Sequence, residues 1–357
     1  MRRMLVGLLK VGLSLGIVAW LFGRAMQGEA FDRLHAQMTG PGFHWGLLAA
    51  AFVCLLTAVV ITFVRWCYLV RALDIPFTMR EALRLGFLGF LFNLAPMGII
   101  GGDLLKAVVL ARQRPGRRAG AVASVVVDRV IGLYILFVVA SAAIGLSGFY
   151  RHDDPQVHSI AVTTLIGTLA ATAVLAAVFI PGATQGRLSA ALGRLPYVGR
   201  QLGHLIEAVR LYRNAAGVLA GASLLTVAVH SLTTLGIYWI TLGIYNGGGN
   251  AIDLMSEFVV VPLASATGVI PLVMGPMELV IDYLYVRVFA LEWGQGLVVA
   301  LGYRIISLLV ALVGMAFYLG AREELREAMS DDAADEAPTV ETTTSFRQRA
   351  GSHAAAA

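Results

Sequence analysis

Apolar residues run along this chain in stretches too long for the helices of a soluble domain. No Asp, Glu, Lys or Arg occurs in 34–64, 85–102, 130–150, 155–186, 214–252, 258–277 or 305–321. About 20 apolar residues at 1.5 Å rise cross the hydrocarbon layer, so each stretch holds a crossing or part of one. Segment 5–22 adds another, because the stem of Lys10 can reach the headgroups. Arg2 and Arg3 precede that segment as in a secretory signal. No A-x-A-type site follows and further spans do, which predicts an uncleaved first helix.

Two stretches are interrupted. LGFLGFLFNLAPMGIIGGD carries Pro96, Gly98, Gly101 and Gly102, and VVVPLASATGVIPLVMGPME carries Pro271 and Gly275. The first is flanked by Arg65, Arg71, Arg80 and Arg84 before it and by Lys106, Arg112, Arg114, Arg117 and Arg118 after it. Basic flanks mark the cytoplasmic side, so both ends of this segment belong there and it reads as a re-entrant hairpin. The remaining spans then alternate. RHDDPQVH and NGGGNAID are external loops, and 187–213 is a cytoplasmic segment with Leu202, Leu205, Ile206 and Val209 at helical spacing. The acid- and Ala-rich end has no apolar period and reads as a disordered tail.

These patterns predict an all-α, polytopic integral membrane protein of the cell (inner) membrane. It has about 6–8 spans, two broken helical hairpins and both termini in the cytoplasm. Residues 1–150 form a first membrane half, 151–326 a second and 327–357 the tail. Composition agrees. Hydrophobic residues make up 58% and charged residues 14%, against roughly 25% charged in soluble domains. A soluble enzyme, a disulfide scaffold and a disordered chain are excluded. Cys54 and Cys67 lie about 20 Å apart if helical, too far to bridge, and read as packing residues.

The two broken segments share a register. Pro96 and Pro271, Asp103 and Glu278, Arg112 and Arg287, and Arg129 and Arg304 are each 175 residues apart. Each half reads as span, span, broken hairpin, span, the first starting inside and the second outside. That is an inverted repeat, which in transporters places the substrate between discontinuous helices. The alternative is that these prolines and glycines merely kink buried helices.

An Arg inside a span costs at least about 2.5–3.5 kcal/mol and should face a partner or a wet cavity. Asp103 and Glu278 are the natural partners of Arg129 and Arg304, with Asp128 beside Arg129. These are either structural ion pairs or part of a site in which the Arg fork binds a lipid phosphate. Backbone N–H groups at Gly101 and Gly102 would approach the same phosphate at a helix start. His230 reads as a hydrogen-bonded packing residue. Asp153 and Asp154 read as a solvated turn, with metal or sugar-diphosphate ligation as the alternative. P-loop, HExxH, GxSxG and CxxC motifs are absent, so no enzyme activity, cofactor or metal is expected.

FNLAPMGIIGGDLLKAVVLARQ and AVASVVVDRVIGL resemble the membrane region of the lysylphosphatidylglycerol synthetases, a flippase-like family. The matching residues are Asn93, Pro96, Gly101, Gly102, Asp103, Lys106, Ser124, Asp128 and Arg129. In the second half Pro271, Gly275, Glu278, Tyr303 and Arg304 match, with Pro276 and Met277 where small residues are usual. The resemblance covers residues 5–320 and implies movement of lipids or lipid-linked molecules between leaflets, with Lys106 joining the phosphate-binding set. In the full synthetase an aminoacyl-transferase domain follows. Only about 35 residues follow Arg322 here, too few for one, so lysyl transfer is not expected. The expected partners are anionic phospholipid or a polyprenyl-phosphate-linked lipid, and no nucleic acid. The competing readings are a scaffold for a lipid- or glycan-modifying membrane enzyme and a membrane glycosyltransferase.

Overall fold

A computed structural model describes residues 44–94, 99–179, 211–212, 215–245, 252–269 and 275–335. Regular structure among them is entirely helical. The α-helices are α1 Trp45–Arg71, α2 Met79–Leu94, α3 Ile99–Gln113, α4 Arg118–Ser147, α5 Pro155–Phe179, α6 Ala216–Tyr245, α7 Leu254–Ala266, α8 Pro276–Val288 and α9 Gln295–Asp335. Short 3-10 turns join some of them, at Pro115–Arg117, Phe149–Arg151 and Thr267–Val269.

Five helices are long and apolar enough to cross a membrane: α1, α4, Pro155–Ala176 of α5, α6, and Gln295–Ala316 of α9. At 1.5 Å per residue even the shortest reaches about 33 Å, a full hydrocarbon layer. Segment 5–22 and most of 187–213 lie outside the described residues, as do Pro96, Gly98 and Pro271. The chain divides into two compact units, residues 1–315 and 316–357. The second contains the end of α9. That helix continues to Asp335, so the expected tail from 327 begins within it.

Four apolar clusters pack the described residues of the first unit, two of them larger than the others. In one, Trp66, Cys67 and Val70 of α1 meet Ala82 of α2, Leu110 of α3 and Val125 of α4. In the other, Ala51 and Leu55 of α1 meet Ile237 and Ile240 of α6, joined by Val260, Ile281 and Val299 from α7, α8 and α9. Both cysteines are buried, as expected. Leu146, Ile166, Leu169 and Leu224 point outward. Lipid tails cover such a surface at no hydrophobic cost.

The helix starts follow from local chemistry. Thr78 and Glu81 cap α2 reciprocally, the Glu81 carboxylate accepting the Thr78 N–H at 2.7 Å. Asp154 caps α5 and Asp253 caps α7. Backbone groups cannot be left to lipid, and at the two broken segments side chains take them. Asn93 Oδ1 accepts the Gly102 N–H at 3.0 Å, and Glu278 Oε2 accepts the Gly275 N–H at 2.7 Å. Gly275 sits at φ 113°, which favours glycine, and Pro276 occupies the first helical position.

Each broken segment is a pair of short helices folded back on one another. In the first, α3 crosses α2 so closely that a Cβ on Gly102 would run into the Gly89 carbonyl oxygen. In the second, α7 and α8 pack together, and their flanks meet α4, α5 and α6.

Candidate functional site

Asp103, near the start of α3, gathers two cations. Arg129 Nη2 of α4 donates to its Oδ1 at 2.6 Å, and Arg129 Nε contacts Oδ2. Lys106 Nζ lies 3.0 Å from Oδ1 and 5.3 Å above the Trp66 ring. Lys106 and Asp103 are largely enclosed, whereas the Arg129 side chain is 48% exposed. Two positive charges against one carboxylate leave this group net positive, and its most open member is the guanidinium.

The corresponding group in the second half is built differently. Glu278, 1% exposed near the start of α8, accepts Arg304 Nε of α9 at 2.6 Å on one oxygen. Its other oxygen accepts the Gly275 N–H. The fork of Arg129 is thus closed on Asp103, while Arg304 is held through Nε alone. Its terminal nitrogens have no partner among the described residues. Both acid–Arg pairs expected from the sequence are formed.

Two other expectations are corrected. Asp128 does not partner Arg129. Its Oδ1 accepts Arg65 Nε of α1 at 2.8 Å, and Arg65 Nη1 donates to Thr226 Oγ1 of α6 at 2.7 Å. Neighbouring residues on a helix point about 100° apart, so Asp128 turns to α1 and α6 while Arg129 turns to α3. Gly102 does not offer its N–H to a ligand, because Asn93 occupies it and the residue serves the close α2–α3 crossing. Gly101 is the third residue of α3, where a backbone N–H has no intrahelical acceptor.

By sequence, Arg65 belongs to the cytoplasmic flank of the first broken segment. It is buried at 5% exposure, because α1 continues to Arg71. The signal was present: RWCYLV carries the apolar pattern past the arginine. His230 Nε2 meets the Gly132 carbonyl at 2.9 Å, a packing role. Asp154 accepts the Gln156 and Val157 N–H groups and pairs with Arg287 of α8 at 2.8 Å. The Val157 and Gln156 N–H groups, then Arg287, hold its carboxyl below the usual range. Among the described residues, no group of three or more His, Cys, Asp or Glu is placed to hold a metal ion.

A cavity of about 70 Å³ lies among α1, α2, α6 and α9, lined by Thr62 of α1, Phe90 of α2, Thr233 of α6, and Tyr303 and Ser307 of α9. Arg304 follows Tyr303 directly in α9.

No curated protein and no solved structure matches the chain. Residues 7–314, which carry all of these groups, match the family described as the lysylphosphatidylglycerol synthase TM region. The chain belongs to that family and is a multi-pass membrane protein of lipid-related function.

Proposed function

We propose that the protein moves an anionic phospholipid or a polyprenyl-phosphate-linked lipid between leaflets, with no enzyme activity of its own. The observation that carries this reading is the recurrence of one arrangement. Asp103–Arg129 and Glu278–Arg304 each join residues 26 apart, in helices that follow a broken segment.

The helix bounds support two repeated halves. A shift of 175 residues brings α1 onto α6, α2 onto α7, α3 onto α8 and α4 onto the start of α9, each within a few residues. Three crossings and one re-entrant hairpin in the first half leave the second half inverted, with both termini in the cytoplasm. Such halves move against one another around a site near the midplane. The small hydroxyl-bearing cavity between α1, α2, α6 and α9 lies on that seam.

The charges suit a phosphate. A guanidinium fork matches two phosphate oxygens, and a buried Arg must always have some partner. Among the described residues the terminal nitrogens of Arg304 have no partner, while Asp103 closes the fork of Arg129. In the opposite state the roles exchange, and the acid released by one Arg is replaced by the arriving headgroup. Lys106 keeps the first group net positive and so favours an anion.

The test is translocation of labelled lipid in proteoliposomes, with detergent-extracted yield as the folding control. Arg304→Lys keeps the charge and loses the fork, so selectivity for anionic lipid weakens while yield holds. Glu278→Gln frees Arg304 for the phosphate and slows release. If both variants lower yield while the surviving protein moves lipid normally, the pairs are structural and the reading fails.

A further inference from the structure

Glu257 in the first turn of α7 takes no part in either acid–Arg group, yet it is among the most deeply enclosed side chains described. It is 0% exposed, and among the described residues its Oε2 has no hydrogen-bond partner. No Lys, Arg or His among the described residues pairs with it. Its Oε1 lies 2.6 Å from Tyr285 Oη of α8 and 3.2 Å from Thr241 Oγ1 of α6. Thr241 Oγ1 is in turn 2.8 Å from Tyr285 Oη and 2.9 Å from the Ile237 carbonyl.

Counting hydrogens favours a protonated Glu257. Four contacts join the Ile237 carbonyl, Thr241, Tyr285 and Glu257, the longest from Thr241 to Glu257, and each of the three shorter ones needs one hydrogen between its two oxygens. The hydroxyls of Thr241 and Tyr285 supply two. With Thr241 donating to Ile237 and Tyr285 to Thr241, the third hydrogen comes from the carboxyl, Oε1 donating to Tyr285 Oη. An ionised carboxylate would instead accept from Tyr285 and leave one of the other two contacts without a hydrogen. With the carboxyl protonated, Oε2 is a neutral carbonyl oxygen, for which lacking a donor costs far less than for a bare carboxylate in a dry site.

The other groups facing it offer no cation. From α8 come Tyr285 and, one turn earlier, Asp282, whose carboxylate accepts the Gly294 and Leu297 N–H groups. From α6 comes Tyr245, which donates to the Gln295 carbonyl. Asp253 at the head of α7 is occupied by Ser256. From α4, Ala143 and Ile144 share an apolar cluster with Val259 of α7.

We propose that Glu257 is a proton-binding site that couples the second broken hairpin to proton movement. The protonated acid ties α7 to α8 through Tyr285, and α8 carries Glu278 two turns earlier on the same helix. Loss of the proton leaves a carboxylate with one donor too few and no cation, so the two arms separate until water reaches it. Pro262 within α7 supplies a weak point in that arm, since it removes one helical hydrogen bond. The coupling, though not the proton site itself, rests on the lipid-transport reading above.

The experiment is infrared spectroscopy of the full chain in lipid nanodiscs, combined with lipid translocation under an imposed pH gradient. The wild type should show a protonated-carboxyl C=O band that is lost in Glu257→Gln and shifted in Tyr285→Phe. Translocation should respond to the gradient in the wild type and lose that response in Glu257→Gln. A spectrum with no Gln-sensitive band, or no shift in Tyr285→Phe should Glu257→Gln fail to fold, overturns the proton site. An undiminished gradient response in Glu257→Gln overturns the coupling. A wild type that shows the band but moves no lipid under any gradient overturns the transport reading and leaves the proton site standing.

Discussion

Arg65 and Asp128 are 6% and 4% exposed in their side chains and bind one another inside the packing of α1, α4 and α6. Removing one partner strands the other without water, which costs about 3–5 kcal/mol for buried pairs, whereas replacing both by apolar groups is often neutral. Arg65→Met should therefore lower the thermal midpoint in detergent sharply, and Arg65→Met with Asp128→Leu should restore most of the loss. Equal damage from the single and double variants would mean that Thr226 and the backbone, not the pair, hold Arg65. The pairs of Asp103 with Arg129 and of Glu278 with Arg304 were legible from the sequence, because an acid after a broken segment and an Arg within the next span recur in one register. Arg65–Asp128 was not, because adjacency to Arg129 hid the opposite facing of Asp128. Glu257 carries no sequence signal of its own, since a lone acid before an apolar run is the same letter whether buried or solvated.

Elements were easier to read than single side chains, since their ends carry caps and breaks. Proline and glycine clusters located both hairpins, although they could not tell Gly102 as a phosphate donor from Gly102 as a packing surface. Gly102→Ala puts a methyl into the Gly89 carbonyl, so α3 must move off α2 at about 1–3 kcal/mol. Gly116→Ala meets nothing within 4 Å and should leave the melting temperature unchanged. Equal melting of both variants would contradict the close crossing. At the head of α5, the carboxyl of Asp154 is held down in the folded state by the Val157 and Gln156 N–H groups and by Arg287. Its stabilisation is present above the ordinary carboxylate range and is lost as pH falls through the lowered folded value. Asp154→Ala should therefore reduce thermal stability at neutral pH, and the difference from wild type should shrink on acidification. A difference independent of pH would remove the charge from the explanation.

At the scale of the whole molecule, the register of 175 residues and the basic flanks of the first broken segment carry the argument. Single cysteines near Arg80 and Arg117, in a chain lacking Cys54 and Cys67, should be labelled from the same side of the membrane, and labelling from opposite sides would turn the first hairpin into a simple crossing. The long apolar stretches made the five helices long and apolar enough to cross a membrane legible from the sequence, while their mutual packing was not. Which face of α1 meets α6 depends on three-dimensional fit at positions such as Ala51 and Leu55 that no period distinguishes from lipid-facing ones. Lipid movement as proposed requires an anionic headgroup to take a carboxylate's place at Arg129 or Arg304. Native mass spectrometry of lipid retained by the purified protein tests that most directly. Wild type should retain anionic lipid beyond its share of the source membrane, with more in Glu278→Gln and less in Arg304→Lys. The same lipid profile in all three proteins, matching the bulk membrane, would contradict it.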